Sequence, residues 1–497
     1  MWRRGVVVVA SLCAACGGPD LQPIDAPASS SELTSFAFLT ADNPGLASNV
    51  MGTINATSIT LTAPIGTSPA GLVARFTTSG VGVAVNGAVQ MNGVTANDFS
   101  STLTYVVSAA DSSTTSYTVA LTVHGTSAPV DISAGMQPEA LEIADIDGDG
   151  KRDIAVAEFS GTRGLEVALN TTVPGATMPS FAGPRAFALT SGSSAYDVAI
   201  ADFNVDGKPD VALAGAGVFA AVNTSQPDAL SFATAVNTGL IGFTVTAGDL
   251  NGDQKPDLVT AKAGAADIVE VTLNTTSAGS TTLTFSPKVQ LATGAGPTSV
   301  AIADLNGDGQ PDLAVSNNNV GTVSVFLSTT APGATTPSFA SKVDVAAQGL
   351  ARRVLIADMN GDGKPDLVVI NNDRATVSIL LNTTATGAMA PSFMPQATFA
   401  TADCPTGLTV ADFNEDGRPD VLTATKMCPG GVVLLVNLTP MGAMTPTFAP
   451  MLVLAEAYDS PDVAVDDLDG DMHPDIAVTV PLAGTASGGH VSVMVSN

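Results

Sequence analysis

The sequence predicts an all-β chain: a seven-bladed β-propeller of four-stranded sheets preceded by a small β-sandwich. Three observations predict it. A nine-residue acidic motif recurs seven times, each copy lies between two short apolar runs of strand type, and the last copy lacks a fourth strand that a segment ahead of the first copy can supply.

The copies read DIDGDGKRD (145–153), DFNVDGKPD (202–210), DLNGDQKPD (249–257), DLNGDGQPD (304–312), DMNGDGKPD (358–366), DFNEDGRPD (412–420) and DLDGDMHPD (467–475), and their starts lie 57, 47, 55, 54, 54 and 55 residues apart. An apolar run such as Ser299-Val300-Ala301-Ile302-Ala303 precedes each motif and another such as Leu313-Ala314-Val315 follows, so the motif is the turn of a hairpin between strands A and B. A third run (322–327) and a fourth (339–345) complete one blade. The seventh repeat ends after its third strand at 491–495, and residues 128–135 match the fourth-strand pattern of 341–347. Pairing these two ends closes the ring and leaves no sheet edge open.

Each turn carries oxygen-bearing side chains at positions 1, 3, 5 and 9. Position 1 is Asp145, Asp202, Asp249, Asp304, Asp358, Asp412 and Asp467; position 3 is Asp147, Asn204, Asn251, Asn306, Asn360, Asn414 and Asp469. Position 5 is Asp149, Asp206, Asp253, Asp308, Asp362, Asp416 and Asp471; position 9 is Asp153, Asp210, Asp257, Asp312, Asp366, Asp420 and Asp475. Position 7 offers a main-chain carbonyl from Lys151, Lys208, Lys255, Gln310, Lys364, Arg418 and His473. Hard oxygens in that number suit Ca²⁺, which takes six to eight, and up to seven ions are expected. The turns hold 23 aspartates among the 46 acidic residues of the chain, a crowding that costs Coulomb repulsion unless a cation offsets it. Glycine at position 6 lets five copies bend sharply; Gln254 and Met472 depart from it, and their sites are expected to be weaker or empty. Asp at position 9 and flanking strands exclude an EF-hand.

The repeat resembles the FG-GAP or VCBS family, found in the integrin α-subunit propeller and in many bacterial surface proteins. The resemblance implies a propeller whose position 1, 3, 5 and 9 side chains and position 7 carbonyl ligate calcium, with partners bound at the opposite face. That face carries the D-to-A and B-to-C loops, near 191–197, 348–353, 425–431, 457–461 and 481–489.

Ahead of the repeats, Arg3 and Arg4, the apolar stretch 5–15 and the string Leu12-Cys13-Ala14-Ala15-Cys16 resemble a bacterial lipoprotein signal over 1–16, with Cys16 as the lipid-modified residue. Plain cleavage near Ala15, giving a secreted protein, is the alternative. Residues 17–32, rich in Gly, Pro, Ser and Asp, read as a flexible tether. Residues 33–125 alternate in short runs such as 58–62 and 117–123, predict about seven strands, and resemble immunoglobulin-like or cadherin-like domains. The propeller is assigned 126–497. Gly17 after Cys16 resembles outer-membrane lipoproteins, which points to the bacterial envelope or cell surface.

A net charge of −28 excludes nucleic acid as a partner. Cys404 and Cys428 lie equally far from Asp416 on the two arms of the sixth hairpin, and a disulfide is expected between them. The three histidines, His124, His473 and His490, have no catalytic neighbour in sequence, so the expected function is a monomeric module binding a protein or glycan, with a ligand-free scaffold as the alternative. A propeller-type polysaccharide lyase or hydrolase is the third reading. It would need Tyr196, Arg352, Arg353 and Tyr458, which enter innermost strands, to converge with carboxylates at the central channel.

Overall fold

The computed structural model describes residues 30–46, 48–159, 164–189, 194–226, 229–426, 431–455, 460–481 and 489–496. Cys16, Cys428 and Tyr458 lie outside them, as do the expected export signal over 1–16 and residues 17–29 of the expected tether. The described residues form strands and turns without helix.

The N-terminal unit is a two-sheet sandwich. One sheet orders Val50–Met51, Leu33–Phe38, Leu72–Thr78 and Ala96–Asn97; the other orders Thr53–Asn55, Ser58–Ala63, Thr114–Val123, Leu103–Ser108, Gly82–Val85 and Ala88–Val89. The ten strands exceed the expected seven because four two- or three-residue strands pair at the rims, too short to leave an alternating pattern in sequence. Ser58–Ala63 alternates outward and inward as its sequence does, and it pairs in parallel with Thr118 to Val123. The core is an aromatic cluster in which Phe36 meets Tyr105 edge-on at 5.0 Å and Phe38 meets Phe99 at 4.7 Å.

Residues 130–494 supply seven four-stranded sheets. Strands A, B and C of blades 1 to 7 begin at Pro138, Asp153 and Gly164; Ala195, Asp210 and Val218; Thr246, Asp257 and Ile268; Pro297, Asp312 and Thr322; Ala351, Asp366 and Thr376; Pro405, Asp420 and Val432; and Val463, Asp475 and His490. Strands D of blades 1 to 6 begin at Arg185, Val236, Val289, Val343, Ala397 and Leu452. The D strand of blade 7 is Val130–Ser133, antiparallel to His490–Met494 with Val130 opposite Val493 and Ile132 opposite Val491. Successive A strands touch, and that of blade 7 touches that of blade 1, so the ring is closed.

Burial explains the strand sequences. Strand B is covered by neighbouring blades on both faces and is buried along Asp312–Asn317 and Asp366–Asn371, hence its continuous apolar run. Strand D lies at the outer rim and alternates, as in Val343–Ala346. In blades 1, 2, 4, 5 and 6 the register shifts at the start of strand A, between Pro138 and Ala140, Ala195 and Asp197, Pro297 and Ser299, Ala351 and Arg353, and Pro405 and Gly407. Such bulges re-aim side chains, and these five stand at the channel end opposite the acidic turns. The sandwich docks against blades 6 and 7: Ile65 is buried with Phe413, Val436 and Met494.

Candidate functional site

The acidic turns share one backbone. Positions 4 and 6 are left-handed in all seven, with φ from 55° at Val205 to 87° at Gly150 and Gly207. These two reversals turn successive N–H groups toward the carboxylates. In blade 4, Asp308 N and Gly309 N donate to the two oxygens of Asp304 at 3.1 and 2.7 Å, and Gln310 N donates to Asp308 Oδ1 at 2.9 Å. Blades 2, 3, 5 and 6 repeat the pattern with Asp202, Asp249, Asp358 and Asp412. In blades 1 and 7, where position 3 is Asp, Gly148 and Gly470 at position 4 make the first of these bonds instead.

The carboxylate oxygens of Asp145, Asp147 and Asp149 lie within 4.8 Å of one another, as do those of Asp467, Asp469 and Asp475. That is the separation of oxygens sharing one cation at roughly 2.3–2.6 Å, so in the turns of blades 1 and 7 the donor set and its spacing fit calcium. Burial and neighbouring aspartates raise the pKa of Asp147 and of Asp469, the cost a cation would relieve.

Position 9 has a second role. Asp366 Oδ2 accepts from Met359 N at 2.9 Å and Oδ1 from Asn382 N at 2.7 Å, so one buried carboxylate ties the A–B turn to the end of strand C. The same two bonds recur at Asp153, Asp210, Asp257, Asp312, Asp420 and Asp475. Burial pushes these carboxyls up, to about 6 at Asp153 and Asp312 and about 7 at the other five.

Sequence reasoning missed the residue that follows strand C. Asn170, Asn223, Asn274, Asn382 and Asn437 donate through Nδ2 to the position 2 carbonyl of the preceding blade, at 2.7–2.8 Å. Asn170 reaches Leu468 and so stitches blade 1 to blade 7. Its signal is a recurrent Asn-Thr-Thr or close variant, at 170–172, 274–276 and 382–384. Four position 3 asparagines, Asn204, Asn251, Asn306 and Asn360, make the reciprocal link: Asn306 Nδ2 donates to Ala388 O of the next blade at 3.1 Å, and Gly387 N donates to Asn306 O at 2.8 Å.

At the other end of the ring the A strands enclose a cavity of about 540 Å³. Five residues before each turn, the equivalent position is Ala140, Asp197, Thr244, Ser299, Arg353, Gly407 and Asp462, all at or beside this cavity. Arg353 pairs with Asp462 across the channel, and Asp197 accepts from Val198 N at 3.1 Å and Val245 N at 2.9 Å. Glu142 also lines the cavity, exposed to its interior while protein surrounds it, and makes no hydrogen bond or ion pair among the described residues. Burial within the ring, then the charges of Asp462 and Asp197, raise its pKa to about 8; burial raises Asp197 to about 7. Tyr196 packs between Phe159 and Phe243, with ring centroids at 4.7 and 4.9 Å, and Phe243 is 55% exposed.

Against known families, residues 145–213, 249–315 and 358–423 match the FG-GAP-like repeat. The chain carries FG-GAP-like repeats. Residues 39–121 match the N-terminal domain of SGBP, the surface glycan-binding protein family. No curated protein is significantly similar in sequence. Similar solved structures include BBS1N in complex with ARL6DN, soaked with lead (10% identity, TM-score 0.42, covering 74% of this chain and 97% of that one). Another is Raptor from Chaetomium thermophilum (13% identity, TM-score 0.44, 75% of this chain and 29% of that one).

In the seven acidic turns, Lys151, Lys208, Lys255, Gln310, Lys364, Arg418 and His473 stand at position 7 with their N–H groups on the position 5 carboxylates. His473 also pairs with Glu415 of the blade 6 turn. Cys404 is disulfide-bonded; Cys428 lies outside the described residues. Of the four residues named for the channel, Tyr196, Arg352 and Arg353 line the cavity together with the carboxylates of Glu139, Glu142, Asp197 and Asp462. The carboxylates themselves, Glu139, Glu142, Asp197 and Asp462, were not singled out in sequence.

Proposed function

We propose that this chain is an exported, non-catalytic surface glycan-binding module, anchored through a lipid on Cys16, whose FG-GAP turns bind up to seven calcium ions. The observation that carries the reading is the match of residues 39–121 to the SGBP N-terminal domain. The exposed aromatic surface of Tyr196 and Phe243 beside a polar cavity supports it, since saccharides are held by aromatic faces and by oriented polar groups. Calcium on the acidic turns fixes the ring at one end, and the loops at the other end meet the glycan. The partner is therefore a polysaccharide at the face opposite the calcium turns, and the location is the bacterial cell surface.

Affinity electrophoresis of the purified protein through gels containing single polysaccharides, in calcium and in chelator, tests the proposal. Retardation by at least one polysaccharide is expected; equal mobility in every gel, for protein that melts cooperatively, overturns it. The convergence of Glu142, Asp197 and Asp462 is also what a polysaccharide-cleaving reading requires. Release of reducing ends or unsaturated products from the retarding polysaccharide would replace binding by cleavage.

A further inference from the structure

The seven repeats make the channel mouth a controlled comparison. At the position five residues before each turn, four blades carry the small uncharged residues Ala140, Thr244, Ser299 and Gly407. Blades 2, 5 and 7 carry Asp197, Arg353 and Asp462 instead, and blade 1 adds Glu142 two residues further along. Propeller closure does not require these charges, because four equivalent positions close the same ring without them.

Their pairing is incomplete. Arg353 is engaged by Asp462, whose second oxygen accepts from Leu141 N at 3.3 Å. Glu139 is engaged by Lys426 at 2.7 Å. Asp197 and Glu142 have no cationic side chain within ion-pair distance among the described residues, and both border the cavity. The Arg353 guanidinium attracts both but is held by Asp462, so three carboxylates share one guanidinium, and a further positive charge relieves the excess. Beside them, the register shift between Ala195 and Asp197 places Tyr196 at the bulge, where it meets Phe159 at a tilt and Phe243 edge-on, and Tyr196 and Phe243 line the same cavity as the carboxylates. Carboxylates next to aromatic rings suit an organic cation, which gains from the charge and from the ring faces together. A space of about 540 Å³ is within the range of small-ligand sites.

We propose that the channel mouth is a subsite for a saccharide bearing an amine, its ammonium facing Glu142 and Asp197, whose ionisation the bound positive charge favours, with Tyr196 and Phe243 as its aromatic wall. This rests on the glycan-binding reading and names the class of sugar. The chain's charge of −28 works in the same direction, attracting cationic glycans and repelling uronates.

The test is calorimetric titration of the intact protein with three probes of similar length: a β-1,4-glucosamine oligosaccharide, its fully N-acetylated form, and an oligogalacturonate. The amine form is expected to bind at least tenfold tighter than the acetylated form, and the galacturonate weakest. Glu142→Gln combined with Asp197→Asn removes that preference, with a melting temperature lowered by no more than the loss of the one backbone donor, Val198 N or Val245 N, that an amide leaves unpaired, while Phe243→Ala weakens both amine and acetylated forms. Equal affinity for the amine and acetylated forms overturns the proposal, and so does a preference that survives the double substitution. Retardation by neutral polysaccharides without amine preference leaves the glycan-binding reading standing and removes only this inference; no saccharide binding at all removes both.

Discussion

Replacing Asp366 by Ala separates two uses of the same carboxylate. The side chain is fully buried and accepts from Met359 N and Asn382 N. Alanine leaves both N–H groups buried and unpaired, at about 1–3 kcal/mol each, or about 2–6 kcal/mol in all. With an unfolding entropy near 0.8 kcal/mol/K for a unit the size of residues 126–497, the melting temperature falls by about 3–8 °C. The cost is also pH-dependent. The folded carboxyl sits at about 7 against 3.8 unfolded, because burial disfavours its charge. A raised folded pKa means that the native state holds the extra proton between those values, so the site's contribution is fully present below about pH 4 and is lost as pH rises through about 7. In chelator, the gap between the native protein and Asp366→Ala is therefore wider at pH 5 than at pH 8. Thermal melts at both pH values, in chelator and in millimolar calcium, read this directly. Equal melting temperatures in chelator, with a difference only in calcium, would show that the carboxylate serves the ion alone and refute the hydrogen-bonding argument.

Calcium itself is expected to raise the melting temperature reversibly, with several ions bound per chain by calorimetry; no binding at millimolar calcium sinks the metal reading. Gln254 and Met472 occupy left-handed positions at φ 66° and 72°, where a side chain costs about 1–2 kcal/mol, so Gln254→Gly and Met472→Gly should each gain about 1 kcal/mol in urea melts, and no gain would refute the strain argument. Ile132→Asp puts an unpaired charge where Ile132 packs against Val491 and Val493 at ring closure. Hydrogen exchange should then accelerate in His490–Met494 before the middle blades, and uniform acceleration would show that closure is not the local weak point.

What could be read from the sequence was whatever repeats. Hairpin turns, fully buried B strands and the strand exchanged between the chain ends all leave a period near 54 residues, and Val130–Ser133 pairs where the repeat arithmetic puts it. The seven motifs were visible, but the division of labour inside them was not: Asp at position 9 reads as one more ligand, whereas its burial and two backbone partners emerge only when strand C folds back. Asn382 and its equivalents were present as Asn-Thr-Thr, yet an asparagine ahead of a loop reads as an ordinary turn former until the neighbouring blade supplies a carbonyl. The left-handed position 4 was masked by Val205 and Glu415, which occupy it without glycine.

The two ends of the ring differ in how they tolerate change, and this separates their roles. At the turn end, each residue answers to the next blade: Asn306 holds Ala388 and Gly387, and Asn382 holds Leu305, so a substitution there propagates around the ring as lost stability. At the channel mouth, the equivalent position accepts Gly407, Ala140, Ser299, Asp197 and Arg353 on the same backbone frame, because the bulge at the start of strand A satisfies the register before the side chain matters. Each blade sets its own demand there: a Cβ at Gly407 would meet Asp462 Cα at 3.0 Å, Arg353 pairs with Asp462, and Asp197 takes the N–H groups of Val198 and Val245. Glu142, with no hydrogen bond or ion pair among the described residues, is the charge there most open to a ligand, and the regular turns keep its surroundings fixed from the other end.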